Sequence, residues 1–200
     1  MRSGNPRPVT PPGRDASSVL VVPARASRAT RDVTLVVAAS FAVALAAQVS
    51  VPFPGSPVPV TGQTLAILLV GFTLGSWRAA AALGLYLLEG FAGLPVFAGG
   101  AAGAGVLVGP TGGYLLAFPL AAFVAGALAS DRSSALRIVV ASVVSHAVIF
   151  AGGLAWLARF VPASGLLAAG LLPFLPGEAI KIGAALAILR GWRALRPPGR

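Results

Sequence analysis

Val33-Thr34-Leu35-Val36-Val37-Ala38-Ala39-Ser40-Phe41-Ala42-Val43-Ala44-Leu45-Ala46-Ala47-Gln48-Val49 contains no charged side chain, and the charge-free stretch continues to Trp77, 45 residues in all. Residues 90–130 form a second such stretch, of 41 residues. A soluble domain carries about 25% charged residues, whereas this chain of 200 residues carries 10%, with 56% hydrophobic. Stretches of this length persist in lipid, as helices that close their own backbone hydrogen bonds. A membrane β-barrel would instead show short segments alternating polar and apolar, and these are apolar all round. The expected fold class is all-α: a polytopic membrane protein, with no room for a soluble catalytic domain.

The net charge of +10 raises nucleic acid as a partner. The arginines, however, cluster at the ends of apolar spans and in the termini rather than along one face, which is membrane charge patterning. No nucleic-acid partner is expected. The chain has no cysteine and one histidine, too few ligands for a zinc site, so neither metal nor cofactor is expected. No serine has an evident histidine–carboxylate pair, and the chain is not expected to be an enzyme.

Residues 1–32, rich in Pro, Ser and Arg, read as a disordered basic cytoplasmic tail without the apolar core of a cleaved signal. Six spans follow, at about 33–49, 61–75, 79–92, 113–129, 134–158 and 176–189. Thr61 is the expected N-cap of the second, and 164–172 is expected to form a short helix before the sixth. Residues 33–190 thus form one six-helix membrane domain, and 191–200 a short basic tail. Several spans fall short of the ~20 residues of a full crossing, so their loops are expected to fold back into the protein. Arg2, Arg7, Arg14, Arg25, Arg28, Arg31, Arg78, Arg132, Arg137, Arg190, Arg193, Arg196 and Arg200 fall on one side of six spans, against Arg159 on the other. That asymmetry predicts both termini in the cytoplasm of a multi-pass protein of the cell membrane, with Trp77, Trp156 and Trp192 at the interfaces.

The three loops on the opposite side are apolar and rich in Pro and Gly. The first, Val51-Pro52-Phe53-Pro54-Gly55-Ser56-Pro57-Val58-Pro59, holds four prolines in nine residues and should be stiff and extended. Irregular backbone at membrane depth needs protein or a cavity beside it, so the loops are expected to cover an outward-facing ligand pocket.

Glu178 and Lys181 interrupt the last apolar span. Charges are expensive there and mark function by default. Three residues apart, they share one helix face, and Pro176 and Gly177 place them in a first turn. An ammonium at a helix N-terminus suits an anion, and the carboxylate accepts from N–H donors. The pair fits a small ligand with both a urea- or amide-like group and an acid; the alternative is a self-satisfied ion pair or two side chains reaching to the interface. Glu89 either lines the pocket or ends its helix. His146, alone in mid-span, reads more readily as a hydrogen-bonded packing residue than as a ligand. Ala38, Ala42 and Ala46 recur at the spacing that lets helices approach closely, though alanine is abundant here; Gly71 and Gly75 carry an equally weak signal.

Four motifs stand in order along the chain: Val58-Pro59-Val60-Thr61-Gly62-Gln63-Thr64-Leu65, Gly93-Leu94-Pro95-Val96-Phe97-Ala98-Gly99-Gly100, Gly109-Pro110-Thr111-Gly112-Gly113-Tyr114-Leu115, and Leu172-Pro173-Phe174-Leu175-Pro176-Gly177-Glu178-x-x-Lys181. Together they resemble the BioY family of biotin-binding S components of energy-coupling factor (ECF) transporters. The resemblance spans about 33–190. It implies a six-helix protein with cytoplasmic termini that captures biotin from outside and docks, through small residues of its first helix, on an ECF transmembrane coupling subunit driven by ATPase subunits. Ala38, Ala42 and Ala46 occupy the docking position. The family's acidic-x-x-Lys pair falls on Glu178 and Lys181, with glutamate where many relatives have aspartate. On this reading Glu178 accepts a ureido N–H and Lys181 meets a biotin oxygen. Thr61, Gln63, Thr111 and Tyr114 add hydrogen bonds, and Phe53 and Phe97 close over the ring. No Gly-x-x-x-x-Gly-Lys-Ser/Thr loop is present to bind ATP. The rival readings are an S component for another small vitamin, an intramembrane enzyme with Glu178 or His146 as base, and a structural membrane subunit.

Overall fold

The structure, a computed structural model, describes residues 24–195. The expected tail up to residue 23 and residues 196–200 of the C-terminal one lie outside the described residues. Helix α1 spans Ala24–Gln48, so it begins nine residues before the expected start at 33 and takes in part of the expected tail. Residues 24–32 follow Pro23 and contain only helix-tolerant residues, with alanine and arginine prominent. Asp32 on this added segment pairs with Arg78 at 2.9 Å. Ala39, Ser40, Val43, Ala44 and Ala47 make the buried face of α1, while Val37, Phe41 and Leu45 lie exposed on the other.

The proline loop is closed at its base by two short antiparallel strands, β1 (Ser50–Val51) and β2 (Val60–Thr61), with Ser50 opposite Thr61. Helix α2 is Gln63–Leu74 and its N-cap is Gly62, not Thr61. Thr61 is held in the strand pair, and a Cβ on Gly62 would lie 2.9 Å from the Ala46 carbonyl oxygen, so the helix starts where the chain touches α1 without a side chain. One residue, Gly75 at φ +79°, turns α2 into α3 (Ser76–Phe91). The two glycines of the Gly71-x-x-x-Gly75 pair therefore do different work. Gly71 lies where a Cβ would come within 2.7 Å of the Ala125 methyl, and Gly75 meets nothing.

Between α3 and α5 (Gly112–Leu128) the glycine-dense loop holds a 3₁₀ turn at Ala98–Gly100 and a short helix α4 (Ala104–Val108). Helix α6 is Ala135–Leu157, capped by the Ser134 side chain. The expected short helix is α7 (Leu166–Gly170), and α8 is Leu175–Leu195. Helix α5 is apolar on every side and packs against α2, α3 and α6, which makes it the centre of the bundle. Among the described residues, three segments are long and apolar enough to cross a membrane: Arg28–Gln48, Ala135–Leu157, and Leu166–Leu195 across α7 and α8. Helices α2 and α5 are shorter, at 12 and 17 residues.

The ends of the bundle differ. At one, the Asp131 amide donates to the Phe72 carbonyl, Arg137 to the Leu128 carbonyl, and Arg193 to the carbonyls of Asp131 and Ser133. At the other, the strand pair, the 93–111 loop and α7 meet above a cavity.

Candidate functional site

The cavity, about 250 Å³, lies among the starts of α2, α5 and α8, the middle of α6, and the 93–111 loop. One wall is aromatic: Phe97, Tyr114, Phe118, Phe150 and Phe174. Phe150 bridges this wall, edge-on to Tyr114 at 6.3 Å and tilted against Phe174 at 6.1 Å. Two glycines make room for it. A Cβ on Gly90 would lie 2.1 Å from the Phe97 ring, and one on Gly153 2.2 Å from the Tyr114 ring. The Tyr114 hydroxyl donates to the Gly170 carbonyl at 2.8 Å, tying α5 to α7.

The polar part of the lining centres on Glu178, whose side chain is 7% exposed. Lys181 Nζ donates to Glu178 Oε1 at 2.8 Å and to Thr64 Oγ1 at 2.9 Å. The Thr64 hydroxyl passes the chain on, donating to Glu178 Oε2 at 2.7 Å. His146 Nε2 reaches the same Oε2 at 2.5 Å. Three helices thus converge on one carboxylate. A buried ion pair of this kind holds only when further hydrogen bonds satisfy its remaining lone pairs, and Thr64 and His146 supply them. A carboxylate has about four acceptor positions; these three neighbours leave capacity for one more donor. Among the described residues no buried side-chain nitrogen or oxygen lacks a partner.

Thr61 and Gln63 also line the cavity. The Thr61 hydroxyl donates to Gln63 Oε1 at 2.9 Å, Gln63 Nε2 donates to the Tyr86 hydroxyl at 2.8 Å, and Tyr86 in turn donates to the Val96 carbonyl at 3.2 Å. The buried Gln63 amide therefore braces α3 and the loop as well as facing the cavity. Thr111 stands on the rim with its hydroxyl 3.5 Å from the Val106 carbonyl oxygen.

Of the residues expected from sequence, Glu178, Lys181, Thr61, Gln63, Thr111, Tyr114 and Phe97 meet around this one cavity. Phe53 does not. It is 42% exposed in the proline loop, because the strand pair turns Val58 and Pro59 inward instead. Ala38 and Ala42 are exposed and Ala46 half-buried on α1, away from the cavity. Glu89 is not part of the lining; its Oε2 accepts from the Ser40 hydroxyl at 2.5 Å in the seam between α1 and α3. Thr64 was missed although it lies inside the first quoted motif, because nothing in a linear motif says which hydroxyl faces a residue 114 positions later. His146 is hydrogen-bonded in packing, as expected, but its partner is Glu178. Treating every ionisable residue of the apolar spans as one set would have joined them.

The model of the BioY family matches residues 17–197. A probable biotin transporter BioY from Pyrococcus horikoshii is 36% identical over 79% of this chain and 93% of its own length. The biotin transporter BioY of Thermotoga maritima is 39% identical over 74% of this chain and 88% of its own. That of Rhodobacter capsulatus is 34% identical over 84% and 95%. A crystal structure of the S-component for biotin from an ECF-type ABC transporter superposes with a TM-score of 0.75, covering 85% of this chain and 94% of the other, at 23% identity.

Proposed function

The chain belongs to the BioY family, and on that premise we propose that it captures biotin for uptake across the membrane as the S component of an ECF-type transporter. The observation that carries this reading is the meeting of aromatic and polar side chains around one cavity. An aromatic wall of Phe97, Tyr114, Phe118, Phe150 and Phe174 suits a compact, largely apolar bicycle. In the same cavity, Glu178 has room for a ureido N–H and Lys181 offers an ammonium to a ligand oxygen. Thr61, Gln63 and Thr111 complete the polar side.

The arginine distribution supports six crossings with both termini in the cytoplasm, which puts the cavity on the outer face of the cell membrane. Residues 33–190 are the substrate-binding domain on this reading, extended at the N-terminal side by the first turns of α1. Exposed Ala38 and Ala42, with Ala46 beside them, form a close-approach surface for an ECF coupling subunit. The sequence holds no phosphate-binding loop, so on this reading energy comes from ATPase partner chains or from the substrate gradient. Binding and release without chemical change account for the site, and no catalytic role is assigned to any residue.

An equilibrium titration of the purified chain in detergent with labelled biotin tests the reading, with unlabelled biotin, riboflavin and thiamine as competitors. Biotin alone should compete. Lys181→Ala should weaken binding at least about tenfold, the scale of a lost hydrogen bond to a charged group. An unchanged Kd would retire the assignment, and competition by another vitamin would move the chain to that substrate.

A further inference from the structure

His146 is a buried titratable group that the biotin reading leaves without a task. It lies behind Glu178, outside the lining of the cavity. Its Nδ1 is 2.7 Å from the Ser142 carbonyl oxygen and its Nε2 is 2.5 Å from Glu178 Oε2. A carbonyl oxygen only accepts, so Nδ1 carries a hydrogen. Nε2 then faces a carboxylate oxygen that already accepts from Thr64. With no hydrogen between them, two lone pairs would oppose each other at this distance in an apolar interior, where an unpaired polar contact is most costly. One proton therefore lies between Nε2 and Oε2, and it belongs to the pair whichever atom owns it.

Among the described residues, the elements packed around His146 offer it no other charge partner. Helix α5 presents only Tyr114, whose hydroxyl is committed to the Gly170 carbonyl. Helix α2 presents the uncharged Thr64, and α7 (Leu166–Gly170) has nothing titratable. Helix α8 presents Glu178 and, beyond it, Lys181. On α6 itself the charged residue is Arg137, nine positions away and bonded to the Leu128 carbonyl.

The geometry points to His146 as a positioning residue for ligand capture: the hydrogen bond it shares with Glu178 holds that carboxylate against Thr64 and Lys181, and affinity falls when that bond is removed. The inference rests on the proposed biotin site. With the proton in place, Lys181, His146 and Glu178 sum to one positive charge at the start of α8, a setting that favours a ligand bearing one carboxylate.

The test measures biotin Kd for the full chain in detergent at about neutral pH, where a carboxylic-acid ligand is ionised. His146→Leu removes the contact to Oε2 and should bind about tenfold more weakly. His146→Gln places an amide N–H near Oε2 and should retain most of the wild-type affinity. An unchanged Kd in His146→Leu, or a loss of about tenfold in His146→Gln, overturns the inference while leaving the biotin reading intact. Should His146→Leu fail to fold, His146→Gln decides alone. Failure of the wild-type protein to bind biotin at any pH removes both. Because the chain has one histidine, nitrogen NMR of isotopically labelled histidine gives a ligand-free readout. Neither ring nitrogen should resonate as a bare, unbonded one below neutral pH; a bare Nε2 there overturns the shared proton whatever biotin does.

Discussion

The same three helices behave differently at their two ends. Toward the arginine-rich end, Leu68 and Phe72 of α2, Ile138 and Ala141 of α6, and Ala185 and Leu189 of α8 close into an apolar cluster with Ala125 and Ala129 of α5. One turn away along α2 and α8, Leu68 gives way to Thr64 and Ala185 to Lys181, and α6 contributes His146. There the helices meet through hydrogen bonds around a carboxylate and leave a cavity beside it. The two ends divide the work between them. Close packing of small and aliphatic side chains supplies rigidity, and that rigidity holds a polar cluster whose desolvation would otherwise oppose folding. Glu89 is a useful second contrast. It meets one serine across the α1–α3 seam, whereas Glu178 is approached by three side chains on three helices.

If the division is real, the ends should fail separately. Phe72→Ala, in the packed end, should cost about 3–5 kcal/mol of stability, seen as a large drop in melting temperature in detergent. The fraction that remains folded should bind biotin within about twofold of wild type, since its effect lies in packing alone. Coupled losses of stability and affinity would break the comparison. Thr64→Val keeps the shape but removes the hydroxyl that links Lys181 to Glu178. It should weaken biotin binding by about tenfold, the scale of one charge-assisted hydrogen bond, with a smaller change in melting temperature. Phe53→Ala sharpens the boundary of the site from outside. An exposed aromatic off the lining should change Kd by less than about twofold, measured in the same titration; a larger loss would bring the proline loop back into the ligand's reach.

Much of the fold was legible in the linear chain because lipid imposes a simple rule on it. Apolar stretches must be helices, and glycine, proline and charge mark their ends. The starts and ends of α3, α5 and α6 accordingly lie within a few residues of expectation. The start of α1 did not, because a helix of arginine and alanine that continues beyond an apolar span leaves no hydropathy signal. Thr61 was placed one residue inside the wrong role for a similar reason. Its spacing suits a cap, and only the pairing with Ser50 assigns it to a strand.

At the site, the residue types were legible and the partnerships were not. Charge inside an apolar span announces itself in one dimension, since its cost depends on the local medium. Glu178 and Lys181 could therefore be singled out from the sequence, along with the chain's membrane character and the family its motifs resemble. Which group satisfies Glu178 depends on residues 32 and 114 positions away, brought near by the packing of α2, α6 and α8. Hydrogen bonds act over about 3 Å and in fixed directions, so only the folded bundle could decide that Thr64 and His146 complete the cluster and that Phe53 stands outside it.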